Sequence, residues 1–418
     1  MEIAQLFEVH TNLIGKQTLS KPFLVYILSI AAVQLCCGEI QEIAMIEANT
    51  RDFRAATLAL CLGSAMIFAN LHVVQSLLPT FAQQFHLTEL EASWSLTITI
   101  LTLGLSLLVY GPLSDALGRK PIMVVTMTGA VLTTLALSQV ESYGALLWLR
   151  GLQGLFLGGL PAIAIAYMGD EFTRKAVVVA VGVYISANSL GGVTGRMVGG
   201  FVGEHFGWAA AFGVMGVLSA VLLVVFVWLL PKSQNFHPKP LHPLHVVQDL
   251  GGHLRNPVLL AACLIAGGNF MIFLNQYSYI TFVLAAAPYH LSPHALGLLF
   301  LTYLSGTVAA AFSGRTQYFS APVGMALGIL LLMGGSLLTL IPHLYAIVWG
   351  FMVSSLGFFL THSLASSWVS HHALQARASA SSLYLVFYYM GASVGGFVLA
   401  PFWAWAGWLG RGWLVAGV

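Results

Sequence analysis

Four side chains able to carry charge stand within long apolar runs of this chain: His72, Arg150, Arg196 and His362. A charge held in hydrocarbon costs at least about 2.5 kcal/mol, so each of these groups needs a partner or a task. A guanidinium binds an anion edge-on through paired N–H groups. An imidazole, titrating near about 6.5, can take up and release a proton. The same runs contain no Asp or Glu, so a buried carboxylate is not there to carry protons. Either arginine could instead snorkel to the membrane interface, and Arg196 could serve helix packing. A lone buried histidine is often only a hydrogen-bonded packing residue.

Uncharged polar residues recur beside these groups at helical spacing. One run carries Ser64, Phe68, His72, Gln75 and Pro79 on a face that would not choose lipid, with Asn70 on the same run. Further along come Asn188, then Asn269, Gln276 and Tyr279, then Tyr384 and Tyr388 beside Gly391. A cavity lined by such amides, phenols and one or two guanidinium groups suits a small polar or anionic organic solute. The candidate solute-binding residues are therefore Asn70, His72, Gln75, Arg150, Asn188, Asn269, Gln276, Tyr279, Tyr384 and Tyr388. The plainer reading is interhelical hydrogen bonding, worth about 0.6 kcal/mol apiece. Candidates for proton coupling are His72, His362 and, at one end of the spans, Asp170. The four histidines His237, His242, His245 and His253 have no cysteine and one acid, Asp249, near them, so no metal centre and no cofactor is expected.

The elements that must position these groups follow from composition. Of 418 residues, 58% are hydrophobic and 7% charged, against roughly a quarter charged in soluble domains. A hydrocarbon core about 30 Å thick takes about 20 apolar residues per helix. Runs of that length are expected near 55 to 80, 93 to 113, 121 to 140, 143 to 168, 176 to 203 and 207 to 230. After a polar stretch at 231–256, five more fall near 257 to 287, 295 to 313, 321 to 341, 343 to 369 and 379 to 401. A twelfth starts near Trp408, where ten residues from Leu409 onward rise only about 15 Å, so it reads as truncated. If both halves start in the cytoplasm, the basic residues, among them Arg54, Arg119, Lys120, Arg174, Lys175, Lys232 and Arg255, gather there, whereas the opposite loops hold Glu89, Glu91, Glu141 and Glu204 with Arg411. That asymmetry predicts a cytoplasmic linker. Residues 1–54 read as an interfacial or dispensable extension, and Met45 could be the true start. The cysteines Cys36, Cys37, Cys61 and Cys263 are too few and scattered for a disulfide framework.

An internal repeat divides the chain. At an offset of 200 residues, Tyr184 pairs with Tyr384, Gly191 with Gly391, Gly195 with Gly395 and Gly207-Trp208 with Gly407-Trp408. Trp148 against Trp349 and Pro121 against Pro322 follow at nearly the same offset. Two parallel halves of six helices form a transporter plan. The expected division is an extension at 1–54, a six-helix bundle at 55–230, a linker at 231–256 and a second bundle at 257–418.

Between the second and third spans the chain reads Gly111-Pro112-Leu113-Ser114-Asp115-Ala116-Leu117-Gly118-Arg119-Lys120-Pro121. This resembles motif A of the major facilitator superfamily. Arg150-Gly151-Leu152-Gln153-Gly154 with Gly158 looks like that family's motif B. The series Gly191, Gly195, Gly199 and Gly200 looks like the antiporters' motif C, a helix-packing motif, although Arg196 stands where that motif usually has Pro. The resemblance covers roughly residues 54 to 408 and is closest in kind to drug–proton antiporters, similar to the bacterial YnfM-type inner-membrane transport proteins. It implies an all-α major facilitator fold of two pseudo-symmetric six-helix bundles. It also implies a conformational latch, in which the motif A acid braces the first bundle against span 11 and its Arg pairs with an acid ending span 4. Gly111, Asp115, Gly118, Arg119, Lys120, and Asp170 or Glu171 occupy those places. In the second half Gly314-Arg315 survives, but His371-His372 lie where the acids would repeat.

The expected function is secondary active transport of a small organic solute, coupled to protons and directed outward, by a monomeric protein of the bacterial inner membrane. Partners are then the solute, protons and the lipid bilayer. Nucleic acid is not among them, since no basic patch is present. Import or facilitated passage of a sugar or organic anion is the nearest alternative, because alternating access runs either way on the gradients supplied. A membrane enzyme lacks an acid pair or nucleophile elbow to support it, and a receptor lacks an extramembrane domain.

Overall fold

With so few charged residues, backbone polar groups in the bilayer must be satisfied within each segment, and helices do this. The computed structural model describes residues 45–236, 238, 243–313, 320–373 and 377–417. The expectations for the extension before Met45, for His237 and His242, and for Arg315 lie outside these residues. Eleven helices among the described residues are long and apolar enough to cross a membrane. They are spans 1 to 6, Arg51–Gln84, Glu89–Leu117, Arg119–Leu137, Tyr143–Glu171, Arg174–Phe206 and Trp208–Leu229. Spans 7 to 11 are Pro257–Ala285, Pro293–Ala310, Ala321–Leu338, Leu344–His372 and Ser379–Leu409.

Local sequence sets the ends of these helices. Thr88 and Glu91 form a capping box at the start of span 2, and Ser142, Asn256 and Ser292 each accept a backbone N–H at the start of spans 4, 7 and 8. Between spans 5 and 6, Gly207 turns the chain at φ +85°, and 200 residues later Gly407 does so at φ +55°. After that second break, 408–417 is helical again, ten residues that reach about half the hydrocarbon thickness.

Besides the break at Gly407 near the end of span 11, spans 1, 4 and 8 are discontinuous, which the apolar pattern does not reveal. In span 1 the α-helix stops at His72, passes through a 3₁₀ turn at Gln75–Leu77 and resumes at Leu78–Gln84. Pro79 supplies no N–H there, which leaves helical carbonyls before it without their usual donors. Span 4 breaks at Gly158 ahead of Pro161, and span 8 has a 3₁₀ turn at Phe300–Thr302. The linker also departs from expectation, since Pro243–Leu254 is a helix. Pro243 stands at its first turn, where the missing N–H costs nothing.

Spans 1 to 6 pack mainly among themselves, as do spans 7 to 11; span 2 meets span 11, span 5 meets span 8, and span 1 meets span 7. The glycine series explains the closest approach in each half. A Cβ on Gly195 would lie 2.6 Å from the Cα of Ala69, and one on Gly191 would lie 2.5 Å from the Cα of Ala65, so span 5 lies backbone to backbone on span 1. In the repeat, a Cβ on Gly391 would lie 2.5 Å from the Cα of Gly267, joining spans 11 and 7 in the same way. Gly199 is likewise pressed on Val73, whereas Gly200 meets Pro293 of span 8.

Candidate functional site

The break in span 1 places three polar side chains differently. Asn70 points into the first bundle, where its Nδ2 donates to Met66 O at 2.8 Å and Ser219 Oγ at 2.7 Å, and its Oδ1 accepts from Thr134 at 2.8 Å. It packs helices and does not face the second bundle. His72 stacks near Phe68 and its Nδ1 lies 2.9 Å from Phe68 O. Gln75, fully buried, crosses to span 7: its Nε2 donates to Ser278 Oγ at 2.9 Å and to Leu274 O at 3.4 Å.

Arg196 is the centre of this crossing. It is 1% exposed, and its Nε donates to Gln75 Oε1 at 2.8 Å while Nη2 donates to the Tyr303 hydroxyl of span 8 at 3.1 Å. Its guanidinium carbon lies 4.4 Å from the Phe300 ring centroid and 4.5 Å from that of Tyr303. Neither snorkelling nor simple packing describes this residue. It is a buried cation at the junction of the two halves, and the nearby contacts are hydrogen bonds to neutral groups and cation–π contacts. His72 lies close by, since a Cβ on Gly192 would stand 3.1 Å from Arg196 Nη1 and 3.6 Å from His72 Nδ1.

Arg150 does not share that space. Its Nε donates to Ser95 O at 2.9 Å, Nη1 to Asn70 O at 2.9 Å and Gln153 Oε1 at 2.5 Å, and Nη2 to Leu71 O at 2.8 Å. Asn70 and Leu71 directly precede the break in span 1, so the guanidinium takes the place of missing helical donors inside the first bundle. Arg150, expected as a solute ligand, thus has four of its five N–H donors on protein acceptors inside the first bundle.

The second half presents aromatic groups. Tyr388 stacks on Phe270 at 3.9 Å between centroids and lies 4.6 Å from the His362 ring. The Tyr384 hydroxyl is 2.9 Å from His362 Nδ1. Asn269 and Gln276, expected to line the solute cavity, turn into their own bundle, toward Phe358 O at 3.1 Å and Ser336 at 2.6 Å. Asn269 Oδ1 and Gln276 Nε2 are buried without partners. Tyr279 donates to Gly396 O of span 11 at 3.1 Å. On span 5, Asn188 accepts from Ser64 of span 1. Sequence reading passed over Ser278, Phe300 and Tyr303; a serine two positions beyond Gln276 was the available signal for Ser278, and nothing singled out the aromatics among 25 Phe and 14 Tyr.

At the opposite end of the spans, Arg119 Nε donates to Asp170 Oδ2 at 2.9 Å, joining spans 3 and 4, and Arg119 also pairs with Asp115. Its Nη1 reaches Ser114 Oγ at 2.8 Å. Asp170, not Glu171, is thus the partner. Glu171 instead holds the linker, accepting from the N–H groups of Gln234 at 2.9 Å and Asn235 at 3.1 Å. Lys120 donates to the span 6 carbonyl of Val227 at 3.1 Å and to that of Leu230 at 2.5 Å. Gly118 takes φ +107°, which a turn this tight requires, while nothing approaches Gly111. His371 and His372 are exposed, His372 stacking on Trp368 at 3.8 Å.

Comparison with known proteins agrees with this architecture. The family model of the Major Facilitator Superfamily matches residues 60–396. The chain is 39% identical over 370 residues to the uncharacterized MFS-type transporter YybF of Bacillus subtilis, covering 87% of this chain and 91% of that one. It is 37% identical over 376 residues to the inner membrane transport protein YnfM of Escherichia coli, covering 89% of each. Among solved structures, a bacterial homologue of the human lysosomal transporter Spinster, in an inward-facing and unoccupied conformation, superposes with a TM-score of 0.66 at 18% identity over 84% of each chain. These family members and relatives are transporters and not enzymes. The chain belongs to the Major Facilitator Superfamily and is a membrane transporter of that type.

Proposed function

We propose that the protein exports a small organic solute in exchange for protons by alternating access, with the Arg119 end of its spans in the cytoplasm of a bacterium and the membrane being the inner one. One observation carries the reading: among the described residues, the hydrogen bonds that tie the two halves together lie toward the Glu204 end. Gln75 reaches Ser278, Arg196 reaches Tyr303, Ser393 reaches Thr97 O at 3.4 Å, and Glu204 accepts from His294 N–H at 2.9 Å. The strong charged contacts at the other end, Arg119 with Asp115 and Asp170, stay within the first half. Such an arrangement seals one face and leaves the halves free to part at the other, the geometry that a rocking transporter alternates.

The antiporter-like glycine series between spans 1 and 5 supports exchange over symport. With the acids of the spans confined to helix ends, His72 beside Arg196 and His362 beside Tyr388 are the groups placed to exchange protons with the central region, and Asp170 is placed to do so at the cytoplasmic mouth. The protein acts as a monomer in this reading.

The test is uptake into proteoliposomes with an acidic lumen, placed in a bacterial metabolite extract and analysed by mass spectrometry. A solute should accumulate inside, and an uncoupler should abolish the accumulation. No accumulated solute, or accumulation indifferent to the pH gradient, overturns the proposal. Accumulation only with the acid outside overturns exchange in favour of symport.

A further inference from the structure

We propose that the solute is a small aromatic monocarboxylate and that Arg196 is the group that binds its charge. This rests on the transport reading above and adds the chemical class. Five N–H donors surround a guanidinium. Nε is taken by Gln75 and one Nη2 hydrogen by Tyr303, while Nη1 donates to no group among the described residues. The residue is 1% exposed, and its ion-pair partners among the described residues number none, because the acids of the spans sit in the first or last turns of their helices. An uncompensated buried cation is costly, and an anion arriving on its free end would remove that cost.

Geometry narrows the class. The Phe300 and Tyr303 centroids are 6.0 Å apart, and each lies within 4.5 Å of the guanidinium carbon. They therefore flank adjacent sides of the group instead of sandwiching it. Left without an acceptor among the described residues are Nη1 and one hydrogen of Nη2, and neighbouring Nη groups can offer the two parallel N–H bonds that match a carboxylate. Gly192 keeps that end clear, since its Cβ would stand 3.1 Å from Nη1. The charge count is one: Arg150, the other interior arginine, spends four of its five donors on protein acceptors within the first bundle. The aromatic body follows from the surroundings, with Phe300 and Tyr303 beside Arg196 and the stacked pair Tyr388 and Phe270 next to His362.

The probes are three carboxylates and their uncharged amides: benzoate and benzamide, nicotinate and nicotinamide, 4-hydroxybenzoate and 4-hydroxybenzamide. Uptake is measured in the acid-lumen proteoliposomes for the wild-type protein, Arg196→Gln, Arg196→Lys and Gly192→Ala, each checked for folding by its melting temperature. The wild type should move at least one carboxylate about tenfold or more faster than its amide. Arg196→Gln should erase that preference, Arg196→Lys should keep part of it, and Gly192→Ala should weaken it by crowding Nη1. Amides carried as well as carboxylates, an undiminished preference in folded Arg196→Gln, or no carboxylate moved at all overturns the proposal. Accumulation of a neutral or cationic solute from the metabolite extract overturns this class while leaving transport standing; absence of any accumulated solute overturns transport itself.

Discussion

Arg150 Nη2 lies 2.8 Å from the carbonyl oxygen of Leu71, the residue before the last in the first helix of span 1. With the parallel bond to Asn70 O, the side chain of span 4 completes hydrogen bonding that the backbone of span 1 abandons at its break. Removing it orphans buried carbonyls, each at about 1 to 3 kcal/mol. Arg150→Ala should therefore lower the melting temperature and slow anionic and neutral solutes alike. A selective loss for anions, measured with the paired probes, would instead make Arg150 a solute ligand.

Gln75 is the link between Arg196 on one side and Ser278 on the other, so Gln75→Leu should loosen the seal on the Glu204 side. Loss of a buried bridging amide is worth about 1 to 3 kcal/mol, enough to shift a two-state balance roughly 5- to 150-fold. The measurement is labelling of a cysteine placed at Thr281, which is buried one turn nearer that side and makes no bond to the first half among the described residues, by a membrane-impermeant reagent from that side, with the native cysteines replaced. Labelling should rise in Gln75→Leu, and unchanged labelling would show that the aromatic contacts hold the seal unaided.

At the other end, Asp170 bridges two spans through Arg119, whereas Asp115 pairs with Arg119 four residues along. Asp170→Asn should accordingly lower the melting temperature more than Asp115→Asn, because the Asp115 side chain is itself exposed and its pair across the Gly118 turn contributes less than about 1 kcal/mol. Equal losses would mean that Arg119 is held mainly by Asp115 and Ser114.

Span 5 lies on span 1 through glycines whose added Cβ atoms would meet backbone, which cannot move aside as a side chain can. Gly195→Val should cost more than about 3 kcal/mol and abolish folded protein in membranes. Gly182→Ala, at a position with nothing within 4 Å, is the control and should be tolerated. Fluorescence size-exclusion profiles of the two variants check the contrast.

Much of this protein was legible as sequence because the bilayer imposes a simple rule. Charged residues punctuate the chain, and ten of the eleven spans begin and end within about four residues of the apolar runs, while the last runs on to Leu409, past the expected end at 401. The offset of 200 residues that pairs Gly207 with Gly407 recurs in the structure as two turns of positive φ. The motif around Asp115 and Arg119 and the acid at Asp170 were likewise visible, since a short loop between two helices leaves few places for them. Less legible was which face of a helix meets which neighbour. Asn269 and Gln276 look equivalent to Gln75 by spacing, yet they turn into their own bundle, because a buried amide bonds with whatever span packs against it.

By itself, then, the sequence determined the eleven crossings among the described residues, the duplicated plan, the family and the location of charge along the chain. Those features depend on local composition and on spacing along one helix. Tertiary structure alone decided that Arg150 is spent on the broken first span while Arg196 keeps unspent donors between the halves. The two arginines have the same chemistry and similar apolar surroundings in sequence. Only the packing of spans 1, 5, 7 and 8 fixes which acceptors reach each guanidinium, and acceptors within about 3 Å decide whether a buried charge is structural or is left to bind something else.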